Sequence, residues 1–479
     1  MSVARKTRNK QMRSGVFWSA LNLLVTKGLS VVVRLVLARL LVPEQFGLVA
    51  LVIVALGLAM VIVDLGIKRA LIQRPRDPLT LVRFDSAFWF HFVFGAVVTV
   101  FFVAAVAPLL VTLYDEPLLF ELSLVMSGSI LFNCISIVPL VRLTRRLRFR
   151  PIVIAEILAV LLSSVVAIVL ASLGAGVWSL ALQQLVLFSF RAIALFAMSR
   201  WHPRLRFSVV ALMDILSFSA YSFGSKIIQY LRTRSDTLIV GYILGTTSLG
   251  LYTMAYLVTE VLRSSISTVV NKIMLPVLSR VQGDSHETAR IFSSATRYMT
   301  LLIFPISLSF FLHADWLVEL VFEAEWYDMK APIKILALSG IVFAMGGPAA
   351  ELFQASGRPD LLFRLLITNF FFVALPLTVY MTNEFGLVGT AYAVVISMVI
   401  LRLRMQWSIY KFFPTVFSKL IRVLLRALAT LAVCLGIHVI AADTLPVPAK
   451  IVLYFVLFYA QTLRGAKQLL RTRKPINPN

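Results

Sequence analysis

The chain has 479 residues, of which 59% are apolar and 14% charged, with a mean hydropathy of +0.90. An ordinary soluble domain carries about 25% charged residues, so there are too few polar side chains to cover soluble domains, which argues against a cytosolic enzyme or a secreted domain. Lysine and arginine number 46 against 22 acids, a formal charge of +24; on a soluble protein this would point to nucleic acid, but on a membrane protein its meaning depends on where the charges sit.

From the N-terminus, Met1 to Arg13 is basic and polar, and the apolar stretch behind it runs to about Leu41. That is too long for a signal-peptide core, and no small-residue cleavage site follows it, so it reads as a retained first span. A bilayer core needs about 20 mostly apolar residues per helix. Runs of that kind recur near 15–41, 46–65, 86–112, 118–141, 151–172, 176–198, 213–244, 249–271, 292–312, 332–353, 361–382, 386–406, 420–442 and 449–463. The expected fold is therefore an all-α integral membrane protein with about 14 transmembrane helices. Cys134 and Cys434 each lie inside an apolar run, and the five histidines lack ligand spacing. Neither a disulfide framework nor a metal site is predicted.

The joints between spans carry the charge. Basic clusters occur at Arg5–Arg13, Lys68–Arg83, Arg142–Arg150, Arg200–Arg206, Lys272–Arg290, Arg358/Arg364, Arg402–Arg426 and Arg464–Lys474, 34 residues in all. With fourteen spans, every cluster falls on one side, which the positive-inside rule makes cytoplasmic. Both termini are then cytoplasmic. The opposite loops hold Glu44, Asp115, Glu116, Glu384 and Asp443, and the longest of them, 313–330, is strongly acidic. No loop has room for a soluble catalytic domain and no G-x-x-x-x-G-K-[ST] occurs, so the chain is read as a non-enzyme, with no ATP-driven pump.

Two echoes suggest an internal repeat. Leu41-Val-Pro-Glu-Gln-Phe-Gly-Leu48 returns as Leu244-Gly-Thr-Thr-Ser-Leu-Gly-Leu251, and Gly174-Ala-Gly-Val-Trp-Ser-Leu-Ala181 as Gly386-Leu-Val-Gly-Thr-Ala-Tyr-Ala393. Six spans separate the first pair, and an even number preserves orientation, so this is a parallel repeat about an axis along the membrane normal. The expected organisation is a basic tail at 1–14, a six-helix lobe at 15–198, a cytoplasmic joint at 199–212, a second six-helix lobe at 213–406, two additional helices at 407–463 and a basic tail at 464–479. Two lobes around a shared cavity is a transporter architecture.

Besides the cytoplasmic clusters and Lys330 and Lys450, ten bases fall within spans: Lys27, Arg34, Arg39, Arg191, Lys226, Arg232, Arg234, Arg263, Arg297 and Lys334. Each costs about 2.5–3.5 kcal/mol at a helix centre. Arg39, Arg191, Arg297 and Lys334 lie near predicted ends, where snorkelling suffices. Spans 1 and 7 differ. Span 1 presents Ser19, Asn22, Thr26, Ser30 and Arg34 as one stripe and also carries Lys27; span 7 presents Ser219, Ser222, Lys226, Gln229, Thr233 and Asp236. Arg232 and Arg234 flank the second stripe. Span 8 adds Glu260 and Arg263 one turn apart, with Tyr252 and Tyr256 on the same side. Helix–helix hydrogen bonding explains the serines and threonines. The cations outnumber the acids Asp236 and Glu260, which pair one of Arg232 or Arg234, and Arg263. A water-filled cationic cavity between the lobes follows, suited to phosphate or acidic sugar.

The stretch Ser235-Asp-Thr-Leu-Ile-Val-Gly-Tyr-Ile-Leu-Gly245, with Leu249-Gly-Leu-Tyr252, Ala255-Tyr256 and Met274-Leu-Pro-Val-Leu-Ser279, resembles the middle signature of Wzx-type polysaccharide flippases. The basic joint Arg145-Arg-Leu-Arg-Phe149 is similar to their colanic-acid and exopolysaccharide exporter branch. Thr237 departs from the asparagine often found there. The resemblance implies a superfamily shared with multidrug (MATE) exporters and lipid II flippases, with V-shaped pairs of lobes. It implies an undecaprenyl-pyrophosphate-linked oligosaccharide, flipped across the bacterial inner membrane for surface polysaccharide. The substrate-binding candidates are Lys27, Arg34, Lys226, Arg232, Arg234 and Arg263. Asp236, Glu260, Asn22 and Gln229 are the cavity and ion-coupling candidates. No cofactor is expected, with coupling to H+ or Na+ open; a polymerase and a chain-length regulator are candidate partners alongside membrane lipid, and nucleic acid is not. A multidrug or metabolite antiporter, a lipid II flippase and a polysaccharide polymerase are the alternatives.

Overall fold

The computed structural model describes residues 18, 22, 25–73, 80–440 and 445–471, and the side chains of these apart from 69, 215–225, 262, 272 and 461–471. Ser19, Ser219 and Ser222 of the polar stripes, and both basic tails as side chains, lie outside that description. Among the described residues there is helix and no strand. The first helix, α1, runs over 25–37. It is followed by α2 (Pro43–Asp64), α3 (Ile67–Gln73), α4 (Thr80–Phe101), α5 (Ala107–Tyr114), α6 (Leu118–Arg145), α7 (Phe149–Ser172), α8 (Val177–Ser199) and α9 (Val209–Arg280). Then come α10 (Ser285–Val321), α11 (Lys330–Met345), α12 (Ala349–Ala355), α13 (Pro359–Asn369), α14 (Leu375–Phe412), α15 (Pro414–Ile440) and α16 (Val447–Arg471). Each of the fourteen expected spans lies on helix, the first over its described part. The protein is an all-α, multi-pass membrane protein.

Local sequence explains the interruptions. α4 passes into α5 through a π-turn at Phe102–Val106, two residues before Pro108, and α13 passes into α14 through one at Phe370–Ala374, two before Pro376. Proline has no N–H and crowds the carbonyl four residues back, and the wider turn accommodates that without ending the helix. Gly245 (φ 78°, ψ −178°) and Gly386 (φ 58°, ψ −142°) break α9 and α14 into two limbs each. Positive φ is cheap only for glycine. The limbs fold back: Thr382 and Thr390 oxygens lie 2.8 Å apart, where a straight helix would separate them by about 12 Å.

The expected loop at 313–330 is mostly helical. α10 kinks at His313 (φ −122°, ψ 23°), continues to Val321, and a 3-10 turn spans Ala324–Met329. Ala314, Val318, Trp326 and Met329 are all buried, so this acidic segment has an apolar face that holds it down. At its other end α10 starts on Asp284, whose Oδ1 accepts from the N–H groups of His286 (3.0 Å) and Glu287 (2.9 Å), a side-chain N-cap.

Two compact units are present, Met1–Thr253 and Met254–Asn479. In the first, α6 packs on α2, α4 and α8, and α7 lies on α8. Helix interfaces there are lined by small side chains such as Ser123, Ser127, Ser129, Ser136, Ala155 and Ala159, which let backbones approach where no hydrophobic force drives helices together. Val97, Val100 and Phe101 point outward, 58–67% exposed; lipid rather than water is their natural surrounding. In the second unit, α10 packs on α11, α15 and α16, and α11 on α14. The boundary lies beyond the 199–212 joint. That joint is fastened to α4: Ser208 N–H donates to Ser86 Oγ (2.9 Å), Trp89 Nε1 to the Arg204 carbonyl (2.8 Å), and Trp201 is buried.

The repeat is visible as a reciprocal contact within the first unit. A Cβ on Gly47 would lie 1.8 Å from the Thr246 carbonyl oxygen, and one on Gly250 1.8 Å from the Pro43 carbonyl oxygen. Gly250 follows Gly47 by 203 residues, and Thr246 follows Pro43 by the same number. Each repeat therefore rests its glycine on the partner's carbonyl, as a two-fold relation requires. The second echo is corrected by two residues. Gly176 (φ 57°, ψ −130°) matches Gly386 in backbone conformation, whereas Gly174 (φ 82°) precedes it.

Candidate functional site

The polar stripes of spans 1 and 7 occupy helices, but their hydroxyls are satisfied locally. Thr26 Oγ1 donates to the Asn22 carbonyl (2.5 Å), Ser30 Oγ to that of Thr26 (2.7 Å) and Thr233 Oγ1 to those of Gln229 and Tyr230. These bonds run along one helix and carry no inter-helix contact.

The charges are arranged differently from the expectation. Lys226 pairs with Asp64 at the end of α2, and Arg191 of α8 pairs with Glu156 of α7 at 3.4 Å. Asn22 donates to the other oxygen of Glu156. Arg191 is therefore an ion-paired interior residue, not a snorkelling one, because Glu156 lies within reach on the neighbouring helix. Lys226 is likewise spent on a carboxylate. Lys68 of α3 sits in the field of the same group. Burial pulls its ammonium below the ordinary lysine value, as do the neighbouring Arg191 and Lys226, while Asp64 and Glu156 offset part of the effect. Lys68, half-buried on α3, lies at the edge of this charged group. The set Asn22, Asp64, Lys68, Glu156, Arg191 and Lys226 draws on α2, α3, α7, α8, α9 and the residues before α1.

Asp236 lies in the field of Arg234, one of its expected partners, and is also held by two hydrogen bonds. Its Oδ2 accepts from the Tyr252 hydroxyl at 2.7 Å, and its Oδ1 from the Thr237 N–H at 2.8 Å. Residues sixteen apart meet because Gly245 reverses the chain between them. Tyr252 is buried and fastens the two limbs of α9 through Asp236. Its hydroxyl therefore serves this carboxylate. The first limb is seated on α2 by Tyr230, whose hydroxyl donates to the Val54 carbonyl (2.7 Å) and lies where a Cβ on Gly57 would be.

The remaining candidates in the first unit are accessible. Lys27, Arg34, Gln229 and Arg234 are exposed, and Arg232 is half-buried. Arg34 on α1 and Arg234 on α9 are close enough for their like charges to interact. Among the described residues no salt bridge holds Lys27, Arg34 or Arg234, though Arg234 lies in the field of Asp236. Spans 1 and 7 do meet, through Arg34 of the first stripe and Arg234 beside the second. In the second unit, Glu260 and Arg263 form the expected pair, Nε to Oε2 at 2.5 Å. The Arg263 guanidinium also lies over the Phe343 ring at 4.4 Å, and Arg402 contacts the same ring at 4.5 Å. Such stacking holds a guanidinium in a less hydrated place.

Asp64 and Glu156 escaped the sequence reading because only the acids of spans 7 and 8 were weighed against the bases. Glu156 is the sole acid of α7, whose one other charged residue is Arg150 in its first turn, and an intramembrane acid is itself a functional signal. A further cluster joins residues far apart in sequence. Tyr454 Oη lies 3.1 Å from His438 Nδ1 and 3.4 Å from His313 Nε2, linking α10, α15 and α16.

Comparison with known proteins adds to this geometry. The chain is 28% identical to the lipopolysaccharide biosynthesis protein WzxC of Escherichia coli over 75% of this chain and 73% of that protein. It is 27% identical to the succinoglycan biosynthesis transport protein ExoT of Rhizobium meliloti, over 69% and 66%. Its fold is similar to that of the lipid II flippase MurJ in an inward closed conformation, with a TM-score of 0.72 over 95% of this chain at 12% identity. Residues 36–331 match the family described as polysaccharide biosynthesis protein. The chain, with its helical membrane fold and its cation-bearing spans, belongs to that family.

Proposed function

We propose that this protein flips an undecaprenyl-pyrophosphate-linked oligosaccharide from the cytoplasmic to the outer leaflet of the bacterial inner membrane, for surface polysaccharide assembly. The observation that carries the reading is the accessible group Lys27, Arg34 and Arg234 on helices that cross the membrane. Cations at such depth are costly without water or an anion, and a pyrophosphate with an acidic glycan supplies the anion. The MurJ-like fold and the relatives named for polysaccharide biosynthesis support the same reading.

In this mechanism the headgroup enters a cationic cavity while the polyprenyl tail stays in lipid. Guanidinium groups replace the water around the pyrophosphate by bidentate hydrogen bonds. Arg232 extends the lining, while Arg263 is held by Glu260. The Asp64/Lys226 and Glu156/Arg191 pairs hold their helices in register, and alternating access follows as one six-helix lobe rocks against the other. Asp236, Glu260 and Glu156 are the carboxylates for coupling to H+ or Na+. The basic joints orient the chain with both termini in the cytoplasm, and a polymerase and chain-length regulator act downstream. No covalent step is required.

Replacing Arg34 or Arg234 by Ala, at unchanged membrane level, abolishes surface polysaccharide and leaves lipid-linked oligosaccharide on the cytoplasmic side. Full export by both variants overturns the proposal.

A further inference from the structure

The basic belt is not uniform: two parts of it are built into pockets, one in each compact unit. In the first unit a pocket of about 730 Å3 opens where the α6–α7 joint meets the end of α8. Arg148, Arg150 and Arg200 line it, together with apolar side chains including Phe149, Ile154 and Met198. In the second, a pocket of about 470 Å3 opens where the α12–α13 joint meets the end of α14, lined by Arg358, Arg364 and Arg404 with Leu361, Thr368 and Phe412. Both volumes fall in the range that holds small ligands.

The pockets occupy equivalent places in the repeat. Arg148 is the N-cap of α7 and Arg358 the N-cap of α13. Arg358 follows Arg148 by 210 residues, the same interval that separates the conformationally matched Gly176 and Gly386. One arginine, Arg148/Arg358, matches at this interval and the other two differ in position, yet three arginines gather around a pocket at the same two joints of each repeat, which a scattered belt that only sets topology does not require.

Their chemistry points to a phosphate. Among the described residues, the first pocket has three guanidinium groups and no carboxylate in its lining. In the second, Asp360 is taken by Arg364 at 2.5 Å, Arg404 donates to Thr368 Oγ1 at 2.7 Å, and Arg358 lies over Phe412 at 4.0 Å. Two positive charges remain in excess there. Guanidinium is the side chain suited to bidentate phosphate binding. The apolar walls favour a phosphate that carries a lipid over a free one. Aromatic side chains mark the interfacial level: Arg150 is over the Trp18 ring at 5.8 Å, and Trp407 and Tyr410 are exposed at the end of α14. The positive-inside rule sets both pockets in the leaflet that holds anionic lipid.

We propose that each unit carries a binding site for the phosphate headgroup of an anionic phospholipid of the cytoplasmic leaflet, formed by Arg148/Arg150/Arg200 in the first and Arg358/Arg364/Arg404 in the second. The sites anchor the two units to the leaflet independently of the transported cargo.

The test uses the full-length protein in detergent, incubated with phosphatidylglycerol or with phosphatidylcholine, with retained lipid counted by native mass spectrometry. Wild type retains two phosphatidylglycerol molecules and no phosphatidylcholine. R148Q/R200Q and R358Q/R404Q each retain one, and the fourfold variant none, with about fivefold weaker binding for each arginine removed. The control R206Q/R280Q, which removes equal charge from the same belt outside both pockets, retains two. R148K/R200K, which keeps charge and lowers the risk of misfolding, retains most of the first site. Equal loss in the control and pocket variants overturns the proposal in favour of a diffuse belt. Unchanged retention in the fourfold variant overturns it outright. Displacement of the lipid by millimolar inorganic phosphate overturns it in favour of a soluble-phosphate site.

Discussion

Gly47→Ala tests the reciprocal glycine contact. The added methyl would sit 1.8 Å from the Thr246 carbonyl oxygen and 2.7 Å from its carbon. Ordinary contact needs about 3.5 Å, so backbone must yield by roughly 1.5–2 Å, and no rotamer change relieves a clash with a carbonyl. Overpacking of this kind costs about 1–3 kcal/mol. For a unit of some 250 residues about 2–4 °C of melting temperature is lost per kcal/mol, so a fall on the order of 5 °C is expected. Gly250→Ala, whose methyl meets the Pro43 oxygen at 1.8 Å, falls by a similar amount, and the double variant by less than the sum, because one displacement opens both contacts. The control is Gly436→Ala in α15, where nothing lies within 4 Å; alanine is there favoured by up to about 1 kcal/mol from helix propensity. Thermal unfolding of the purified protein, followed by tryptophan fluorescence, reads all four. If Gly47→Ala melts with wild type while Gly436→Ala behaves as described, the close approach of the two repeats is wrong.

Two further predictions concern the first unit. Asp64→Asn strands the Lys226 ammonium; because about a quarter of each side chain stays accessible, the loss is about 2 kcal/mol, short of the roughly 3–5 of a fully buried pair, and the exchange D64K/K226D restores most of the melting temperature, whereas additive loss in the exchange refutes the pairing. Tyr252→Phe removes a hydrogen bond to a carboxylate and costs about 1.5–3 kcal/mol with little added effect in the Asp236→Ala background, where no side-chain acceptor remains; a full additional loss there shows that the hydroxyl serves another partner.

The positions of the spans were legible because a bilayer imposes length and polarity on every helix at once. The clustering of arginines in alternate joints gave an independent count. What stayed hidden depends on contacts between helices. Glu156 and Arg191 are 35 residues apart and meet only because α7 and α8 form a hairpin. Asp64 and Lys226 are 162 apart, and nothing periodic links them. The pairing of Asp236 with Tyr252 turned on one glycine. A Gly-Leu at a span start suggests a reversal, but its angle decides which side chains face. Arg191 was misjudged for a related reason: distance from a span end measures access to water and is blind to an acid on the next helix.

The acids sort the cations by role. Only 22 acidic residues serve 46 bases, so each interior carboxylate selects which base is structural. Asp64 selects Lys226, Glu156 selects Arg191, Glu260 selects Arg263 and Asp214 selects Arg83 at 3.0 Å. A base with a carboxylate at hand gains little from an anionic ligand, since the ligand must first displace a partner held at low dielectric. Lys27, Arg34 and Arg234 stand outside these ion pairs, Arg34 on the first stripe, Lys27 beside it and Arg234 flanking the second within the field of Asp236. Under the proposed function they are the cations whose field would meet a pyrophosphate. Among the lipid-facing joints the same reasoning separates Arg148, Arg150 and Arg200 from Arg290, which is held by Glu287. Charge excess becomes a binding property only where the fold has withheld the counter-charge.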